Sequence, residues 1–232
     1  SKMKKSSQNR DRARPPRQPT TQPKPHSAVV LLLKAPRSGE VKTRLARSIG
    51  AGAALRTYRA LVERQCQQLP RHWHSEVHYS PPAAAQQMQQ WLGQPHQFYP
   101  QADGDLGVRL REAITAALQR GAKTVICIGG DCPQLQHGHF EQALAALNSD
   151  CDVVFGPSED GGYYLIGVQA PHPQLFDAIP WSCDNTLAAS FHQAARLGLR
   201  VQCLATLYDI DELPELQPAI QAGCLPAALL AP

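Results

Sequence analysis

At 232 residues, of which 43% are hydrophobic and 18% charged, the chain is long enough to bury the core of one α/β domain. It has no apolar run of about 18 residues and no apolar core of a signal peptide near its start, so we expect neither a membrane span nor a leader. Its seven cysteines form no Cys-x-x-Cys pair, which is typical of reduced thiols and predicts a cytoplasmic protein.

The net charge of +4 comes from residues 1–27. This segment has eight lysines and arginines against one acidic residue, Asp11, and it contains five prolines. Because it has almost no apolar surface to bury, we predict a disordered basic, proline-rich tail. Contact with nucleic acid or anionic lipid is one interpretation of its charge; we favour an appended extension without a binding role.

The remaining residues, 28–232, are predicted to form a single domain. They carry 15 basic and 18 acidic side chains, a net charge of −3. With that charge we expect no specific nucleic-acid binding.

The first predicted strand, residues 28–34, is apolar along most of its length and is followed by a basic loop, residues 35–45. The loop carries Arg37, Lys42 and Arg44. Cationic side chains and the free N–H groups of a helix start both bind phosphate, so the loop is a predicted phosphate site. A solvated basic surface is the alternative. The loop is not a Walker motif, because G-x-x-x-x-G-K-[ST] is absent.

Helices and short strands then alternate. Apolar spacing predicts helices over 52–69, 82–92 and 105–121 and strands over 76–80 and 97–100.

The third of these helices begins in a glycine-containing segment. Asp105 is suited to cap the helix, and Gly121 to end it. The functional interpretation is that Gly104, Gly107 and Arg109 form part of the wall of a nucleotide pocket.

An unbroken apolar run, residues 125–128, predicts a buried strand that leads directly to an acidic side chain. Gly129 and Gly130 allow the backbone to turn, and Asp131 follows at the carboxyl end of the strand. Open α/β sheets bind their ligands at that end. A carboxylate there suits Mg²⁺ (or Mn²⁺) carrying phosphates, and simple capping of the turn is the alternative.

A second glycine-rich turn follows the predicted helix 137–147 and strand 152–156. It contains Asp160, Gly161 and Gly162 and precedes a strand over 163–168. If the turn only joined two strands of a hairpin, it would need no binding role. We favour a binding role, because the glycines allow close approach of a ligand and a simple strand order would place the turn beside Asp131.

In the last third of the chain, the residue pattern predicts a loop with Trp181, a helix over 185–197, a strand over 199–204 and a final helix. Trp181 is suited either to stack on a substrate or to close the edge of the core. Asp209 and Asp211 share a face of an extended segment, which suits a metal site opposite Asp131. Helix capping by Asp211 is the alternative.

Histidines cluster over 72–78 and over 137–139. Neither cluster has the spacing of zinc ligands, so we expect surface histidines.

Strands that alternate with helices, with the informative loops at the carboxyl ends of strands, predict a three-layer α/β fold with a Rossmann-like, mostly parallel sheet. One composite site is expected at that edge.

Six motifs in a fixed order resemble one known family. They are Lys34-Ala-Pro-x-x-Gly-x-Val-Lys-Thr-Arg-Leu45, Gly104-Asp-Leu-Gly107, Gly129-Gly-Asp-Cys-Pro133, Gly156-Pro-x-x-Asp-Gly-Gly-Tyr-Tyr164, Pro180-Trp-Ser182 and Tyr208-Asp-Ile-Asp211. Together, over about residues 28–221, they resemble the glycosyltransferase-A-fold "transferase 1, rSAM/selenodomain-associated" proteins. That family is similar to 2-phospho-lactate guanylyltransferases and, more distantly, to molybdenum-cofactor guanylyltransferases.

The resemblance implies the fold of nucleotide-diphospho-sugar transferases and assigns residues to roles. Asp131 matches the metal-binding aspartate and Asp211 the second metal position, while Lys34, Lys42 and Arg44 match a phosphate-gripping loop. The candidate catalytic residues are thus Lys34, Lys42 and Asp131. The remaining candidates for nucleotide or substrate binding are Ala35, Pro36, Gly39, Arg44, Gly104, Gly107, Gly130, Asp160, Gly161, Gly162 and Trp181.

Three functions fit these residues. The leading one is a Mg²⁺-dependent nucleotidyltransferase-like transferase that joins a nucleoside triphosphate to a small anionic acceptor. The second is a glycosyltransferase that uses a sugar nucleotide. The third is a catalytically silent nucleotide-binding module, which we would expect to lack the combination of cations and carboxylates.

Overall fold

A computed structural model describes residues 26–230, which form seven strands and seven α-helices. The strands are β1 (His26–Lys34), β2 (His74–Ser80), β3 (Gln97–Pro100), β4 (Ala122–Ile128), β5 (Val153–Pro157), β6 (Tyr163–Val168) and β7 (Val201–Cys203). The helices are α1 (Thr43–Ile49), α2 (Ala51–Gln68), α3 (Ala85–Leu92), α4 (Leu106–Gln119), α5 (His137–Leu147), α6 (Thr186–Arg196) and α7 (Leu213–Gln221). The predicted tail lies outside the described residues, except that its last two residues, His26 and Ser27, begin β1. None of the helices in 26–230 combines the length and apolarity needed to cross a membrane.

Most predicted elements are present, but the sequence analysis missed α1. This helix buries only Leu45, so it has no apolar periodicity to reveal it. Gly50, at φ 84°, ends α1 and precedes α2, and only glycine adopts that conformation without strain. The predicted strand over 199–204 is reduced to the three residues of β7.

The seven strands form one sheet in the order β3-β2-β1-β4-β6-β5-β7. All neighbouring pairs are parallel except those that involve β6, which runs antiparallel to β4 and to β5. The expected adjacency of β5 to β4 is therefore wrong. The glycine-rich turn at 158–162 reverses the chain, and β6 returns into the space between β4 and β5.

Helices cover both faces of the sheet, which confirms the three-layer α/β fold. Alternate side chains of the strands point to opposite faces. On β1, Val29 and Leu31 join a core with α2, α3 and α5, whereas Ala28 and Val30 join a core with α4. The two cores hold the strands in register and so fix where their carboxyl ends lie.

A third, smaller core lies outside the sheet and joins the first and last helices to α2. Its buried members include Leu45 of α1, Leu61 of α2, Leu216 of α7, and Ile210 in the segment before α7. This cluster brings the start of α1 and the start of α7 to the same place.

A buried ion cluster lies between β2 and the end of α4. Glu76 is 3% exposed and accepts hydrogen bonds from Arg120 Nε at 2.9 Å, while its Oε2 lies 2.9 Å from His78 Nε2. The Arg120 guanidinium also stacks over the Tyr99 ring at 4.0 Å. His78 is itself buried, so the expectation of a surface histidine is wrong there.

Replacing Arg120 with Met is expected to lower the free energy of unfolding by about 3 kcal/mol, because breaking a buried ion pair leaves a buried charge undercompensated. Urea unfolding at pH 7 measures this. Arg111→Met is the matched control, since Arg111 pairs with Glu112 and Asp177 at the surface and its loss should cost below about 1 kcal/mol.

The difference in the free energy of unfolding between wild type and Arg120→Met is also predicted to depend on pH. Burial acts to raise the pKa of Glu76, but the hydrogen bonds from His78 and Arg120 outweigh it and hold this pKa below its ordinary value of 4.5. A carboxyl group with a lowered pKa stabilises the folded state above its unfolded pKa and loses that contribution as the pH falls through the folded pKa. The difference between wild type and Arg120→Met should therefore shrink below pH 4.5. A constant difference would contradict this account.

Candidate functional site

Three cavities meet at Asp131, at the carboxyl edge of β1 and β4. The first, called the basic cavity after its three cations Lys34, Lys42 and Arg44, has a volume of about 480 Å³ and is also lined by Glu40, Asp131 and Asp211. The second, the acidic cavity, measures about 450 Å³. Its charged and aromatic lining consists of Arg44, Asp131, Asp160, Tyr163, Trp181, Asp184, Asp209 and Asp211. The third, an apolar cavity of about 260 Å³, extends between β6 and α4. The three together form one cleft.

The centre of the cleft is an ammonium group between two carboxylates. Lys42 Nζ lies 2.5 Å from Asp131 Oδ1 and 3.5 Å from Asp211 Oδ1, and it donates to the carbonyl oxygen of Ile210 at 2.5 Å. The Lys42 side chain is only 4% exposed, whereas those of Asp131 and Asp211 are 43% and 47% exposed. The two predicted metal ligands thus lie close together and face solvent.

Backbone contacts place these groups. The Ile210 N–H donates to the Asp131 carbonyl at 2.9 Å, which ties the segment before α7 to the end of β4. Ile210 is fully buried in the third core, so its flanking aspartates point into the cleft. Lys42 occupies the position before α1 in a left-handed conformation, with φ 50° and ψ 45°. That conformation is strained for a residue with a side chain.

The carboxylates outnumber the cations at this point. Burial acts to lower the pKa of Lys42, but Asp131, Asp211 and Asp209 raise it above its ordinary value, so the ammonium stays charged. Burial together with the charge of Asp131 raises the pKa of Asp209 to about 7, although its hydroxyl partner Ser158 donates to it at 3.1 Å. Burial is the main cause of this rise, and the nearby charges of Asp131 and Asp160 add to it.

The end of β1 is fixed by a tyrosine of α2. The Tyr58 hydroxyl accepts from the Lys34 N–H at 3.0 Å and donates to the Lys34 carbonyl at 2.8 Å. Tyr58 also lines the basic cavity. Lys34 is exposed, and among the described residues its side chain makes no ion pair, so its charge is available to a ligand.

The wall of the acidic cavity is made by two loops in close contact. The Gly161 carbonyl accepts from the Leu187 N–H at 2.9 Å, and a Cβ built on Gly161 would lie 2.0 Å from the Asp184 carbonyl oxygen. Gly161 is therefore required by packing between the loops. Trp181 lies over α4, where a Cβ on Gly107 would come within 2.7 Å of its ring.

Of the predicted site residues, those that line the cleft are Lys34, Lys42, Arg44, Gly130, Asp131, Asp160, Gly162, Trp181 and Asp211. The others line none of the three cavities; these are Ala35, Pro36, Gly39, Gly104, Gly107 and Gly161. Asp105 caps α4 by accepting from the Val108 N–H at 2.9 Å, which confirms the capping interpretation. Asp211 does not cap α7, because Glu212 occupies that position.

The sequence analysis did not assign site roles to Tyr58, Tyr163 or Asp184, which also line the cleft. Asp184 follows the Pro-Trp-Ser motif closely enough to have been found. Tyr58 had no signal beyond its place on the apolar face of a helix.

Mg²⁺ is held in proteins by one or two carboxylates together with substrate phosphates and water. Asp131, Asp211 and the Ile210 carbonyl are oxygen donors of this kind around one point, so the donor set fits such an ion. Within residues 26–230, no group of three or more His, Cys, Asp or Glu side chains is arranged to hold a metal ion.

Comparison with known proteins identifies the family. Residues 61–183, more than half of the chain, match the family described as "Uncharacterized protein conserved in bacteria (DUF2064)". The chain belongs to this family. No curated protein matches this DUF2064 chain.

Solved structures similar to the DUF2064 chain share its fold. A candidate nucleotide-diphospho-sugar transferase from Desulfovibrio desulfuricans G20 is 30% identical, with a TM-score of 0.82 over 89% of this chain and 93% of that one. A 4-diphosphocytidyl-2C-methyl-D-erythritol synthase from Anaerococcus prevotii DSM 20548 is 8% identical, with a TM-score of 0.54 over 84% and 98%. CMP:2-keto-3-deoxy-manno-octonic acid synthetase, in complex with CTP, is 15% identical, with a TM-score of 0.51 over 84% and 97%. These likenesses confirm the fold of nucleotide-diphospho-sugar transferases.

Gly107→Ala is expected to lower the free energy of unfolding by about 1–3 kcal/mol, because the added methyl group overpacks against Trp181. It should also change the tryptophan emission spectrum. Gly138→Ala is the matched control: both glycines are the second residue of a helix, but Gly138 has nothing within 4 Å of an added Cβ. The control should gain up to about 0.5 kcal/mol from helix propensity. Equal effects of the two changes would contradict the packing of Trp181 on α4.

Proposed function

We propose that this protein is a Mg²⁺-dependent, nucleotidyltransferase-like transferase that acts on a nucleoside triphosphate and a small anionic acceptor. The observation that carries the proposal is the meeting of Lys42, Asp131 and Asp211 at one point of a cleft, with Lys34 and Arg44 along one arm. Cations and a carboxylate pair in one cleft suit the binding of a polyphosphate with a divalent ion.

In this proposal the phosphates lie in the basic cavity, across Lys34, Lys42 and Arg44. Lys34 and Arg44 are exposed and line that cavity, so their charges can reach a ligand without rearrangement of the fold. Phosphoryl transfer needs reactants held in line and negative charge neutralised, rather than a covalent nucleophile. The chain's residues would therefore act by position and charge.

Asp131 and Asp211 are the residues that would hold Mg²⁺ (or Mn²⁺). When bound, that ion would supply positive charge at the α-phosphate and at the incoming oxygen of the acceptor. The carboxylates fix its place, because both belong to segments bonded to each other through Ile210 and Asp131.

The structural relatives support a transferase of this general type. One relative, 30% identical, carries the description of a nucleotide-diphospho-sugar transferase, and one distant neighbour binds CTP. The closer likeness to 2-phospho-lactate guanylyltransferases remains a prediction, as does a cytoplasmic location.

The acidic cavity favours a second candidate, a glycosyltransferase that uses a sugar nucleotide. Four aspartates in addition to Asp131 line this cavity beside Trp181, and Arg44 is the one cation among its lining residues. Carboxylates accept hydrogen bonds from sugar hydroxyls, and an aromatic ring offers an apolar face, so a neutral sugar suits this cavity. In that case Asp160 would face the sugar or its acceptor. An anionic acceptor could approach these aspartates only if a bound cation offset their charge.

The two candidates release different products. Purified protein is incubated with each nucleoside triphosphate, a panel of phosphorylated acceptors and Mg²⁺, and pyrophosphate is measured. Nucleotidyl transfer predicts pyrophosphate from one triphosphate and acceptor. Release of nucleoside diphosphate from a sugar nucleotide would instead support glycosyl transfer. If neither product were formed, both candidate functions would be contradicted.

Asp131→Ala is expected to lower turnover by at least about a hundredfold, the scale of losing one group that stabilises charge in the transition state. Asp150→Asn is the control, because Asp150 is exposed before β5, at the opposite edge of the sheet. If Asp131→Ala retained full Mg²⁺-dependent nucleotide binding and turnover, the metal assignment would be wrong.

Arg44→Met is expected to weaken nucleotide binding by about tenfold to a hundredfold, because a hydrogen bond to a charged group contributes about 1.5–3 kcal/mol. Isothermal titration calorimetry measures the dissociation constant. Arg47→Met is the matched control, since Arg47 lies one turn later on α1 and lines none of the cavities. Similar losses in both variants would show a general charge effect and not a phosphate contact.

A further inference from the structure

The Lys42 ammonium occupies the place that a divalent cation would take. Its three nearest oxygen partners are Asp131 Oδ1, the Ile210 carbonyl and Asp211 Oδ1, at 2.5, 2.5 and 3.5 Å. The same oxygens form the donor set that fits Mg²⁺. An ammonium and a divalent ion repel each other and cannot share one set of donors, so the two states exclude each other.

The backbone of Lys42 is fixed, whereas its side chain can take two positions. Its backbone is in the left-handed region, at φ 50°, which is unfavourable for lysine and is kept only where surrounding contacts enforce it. Val41 and Leu45 on either side are buried and anchor the backbone. The four-carbon side chain between these anchors can still turn without moving them.

A second position for the ammonium is close by. Lys42 lines the basic cavity together with Lys34 and Arg44, where ligand phosphates would lie. Besides Asp131 and Asp211, the one further carboxylate among the described residues that line that cavity is the exposed Glu40, which already lies 4.0 Å from Arg37, so without phosphates a displaced ammonium beside Lys34 and Arg44 gains little stabilisation there. With phosphates present, the ammonium would gain acceptors there equivalent to those it leaves.

We infer that Lys42 is a displaceable internal cation: it fills the metal position of the ligand-free protein and moves to the phosphates when nucleotide and metal bind. In the absence of nucleotide, the metal has to displace an ammonium that has no second favourable position. The phosphates of a nucleotide provide that position in the basic cavity, so metal and nucleotide favour each other's binding. The nucleotide part rests on the proposed function; the competition between Lys42 and metal does not.

Metal binding in the absence of nucleotide tests the competition. The probe is Mn²⁺ alone, and free Mn²⁺ is measured by electron paramagnetic resonance. Lys42→Met should bind Mn²⁺ about tenfold more tightly than wild type, within the usual range of coupling between two ligands. Lys34→Met is the control, because it removes one charge from the same cavity without a contact to either carboxylate.

The tighter Mn²⁺ binding of Lys42→Met must depend on the carboxylates of Asp131 and Asp211. Adding Asp211→Asn to Lys42→Met should abolish the tighter Mn²⁺ binding. If Lys42→Met bound Mn²⁺ no more tightly than wild type, or if Lys34→Met gained as much, the inference would be overturned.

A measurement on the wild-type protein does not depend on the folding of any variant. Lysine acetylation followed by mass spectrometry reports how accessible each ammonium is. Lys42 should react slowly in metal-free protein and severalfold faster in saturating Mn²⁺, while exposed Lys123 at the start of β4 stays constant. Unchanged labelling of Lys42 would refute its displacement.

The two proposals fail separately. Tight Mn²⁺ binding by Lys42→Met, together with no turnover of any triphosphate or sugar nucleotide, would overturn the proposed function and leave the competition standing. Turnover in wild type, with unimproved Mn²⁺ binding in Lys42→Met, would overturn the competition and leave the function standing.

Discussion

One buried ammonium joins three separate parts of the chain. Lys42 comes from the loop after β1, Asp131 from the end of β4, and Asp211 from the segment before α7. The sheet fixes the first two, since β1 and β4 are parallel neighbours whose carboxyl ends lie at one edge. The third arrives through the small core that packs α7 against α1 and α2. If that core were lost, the carboxylate pair would separate even though the sheet remained.

The cleft therefore depends on the apolar packing directly beneath its charges. Ile210 is fully buried and lies between two aspartates, so its burial determines where both carboxylates point. The buried cluster of Glu76, His78 and Arg120 has a different effect, because its side chains bond to one another and hold β2 against the end of α4. Charged side chains hold the layers together in the Glu76 cluster, whereas at the cleft one buried ammonium lies among two half-exposed carboxylates.

Much of this could be predicted from sequence, because strongly apolar strands and glycine-containing loops carry local signals. The fold class, the positions of β4 and α5, and the capping of α4 by Asp105 all followed from such patterns. The place of β6 could not be predicted, because the Asp160-Gly161-Gly162 turn is compatible with several strand orders. The burial of Lys42 was also hidden, because nothing in a basic loop shows that one of its cations will be enclosed by carboxylates 89 and 169 residues later.

The reversed strand β6 has a consequence for how the cleft is divided. It separates the edge of the sheet into two arms built on different segments: residues 34–44 and 209–211 on one side, and the paired loops around Gly161 and Asp184 on the other. The two arms are joined at Asp209, which accepts from the Ser158 hydroxyl at 3.1 Å, and by the Glu159 N–H, which donates to the Leu207 carbonyl at 2.9 Å. Substitutions at Trp181 and Asp184, which line the acidic cavity and neither of the other two, can reshape that compartment alone, whereas Arg44, Asp131 and Asp211 line both the acidic and the basic cavity.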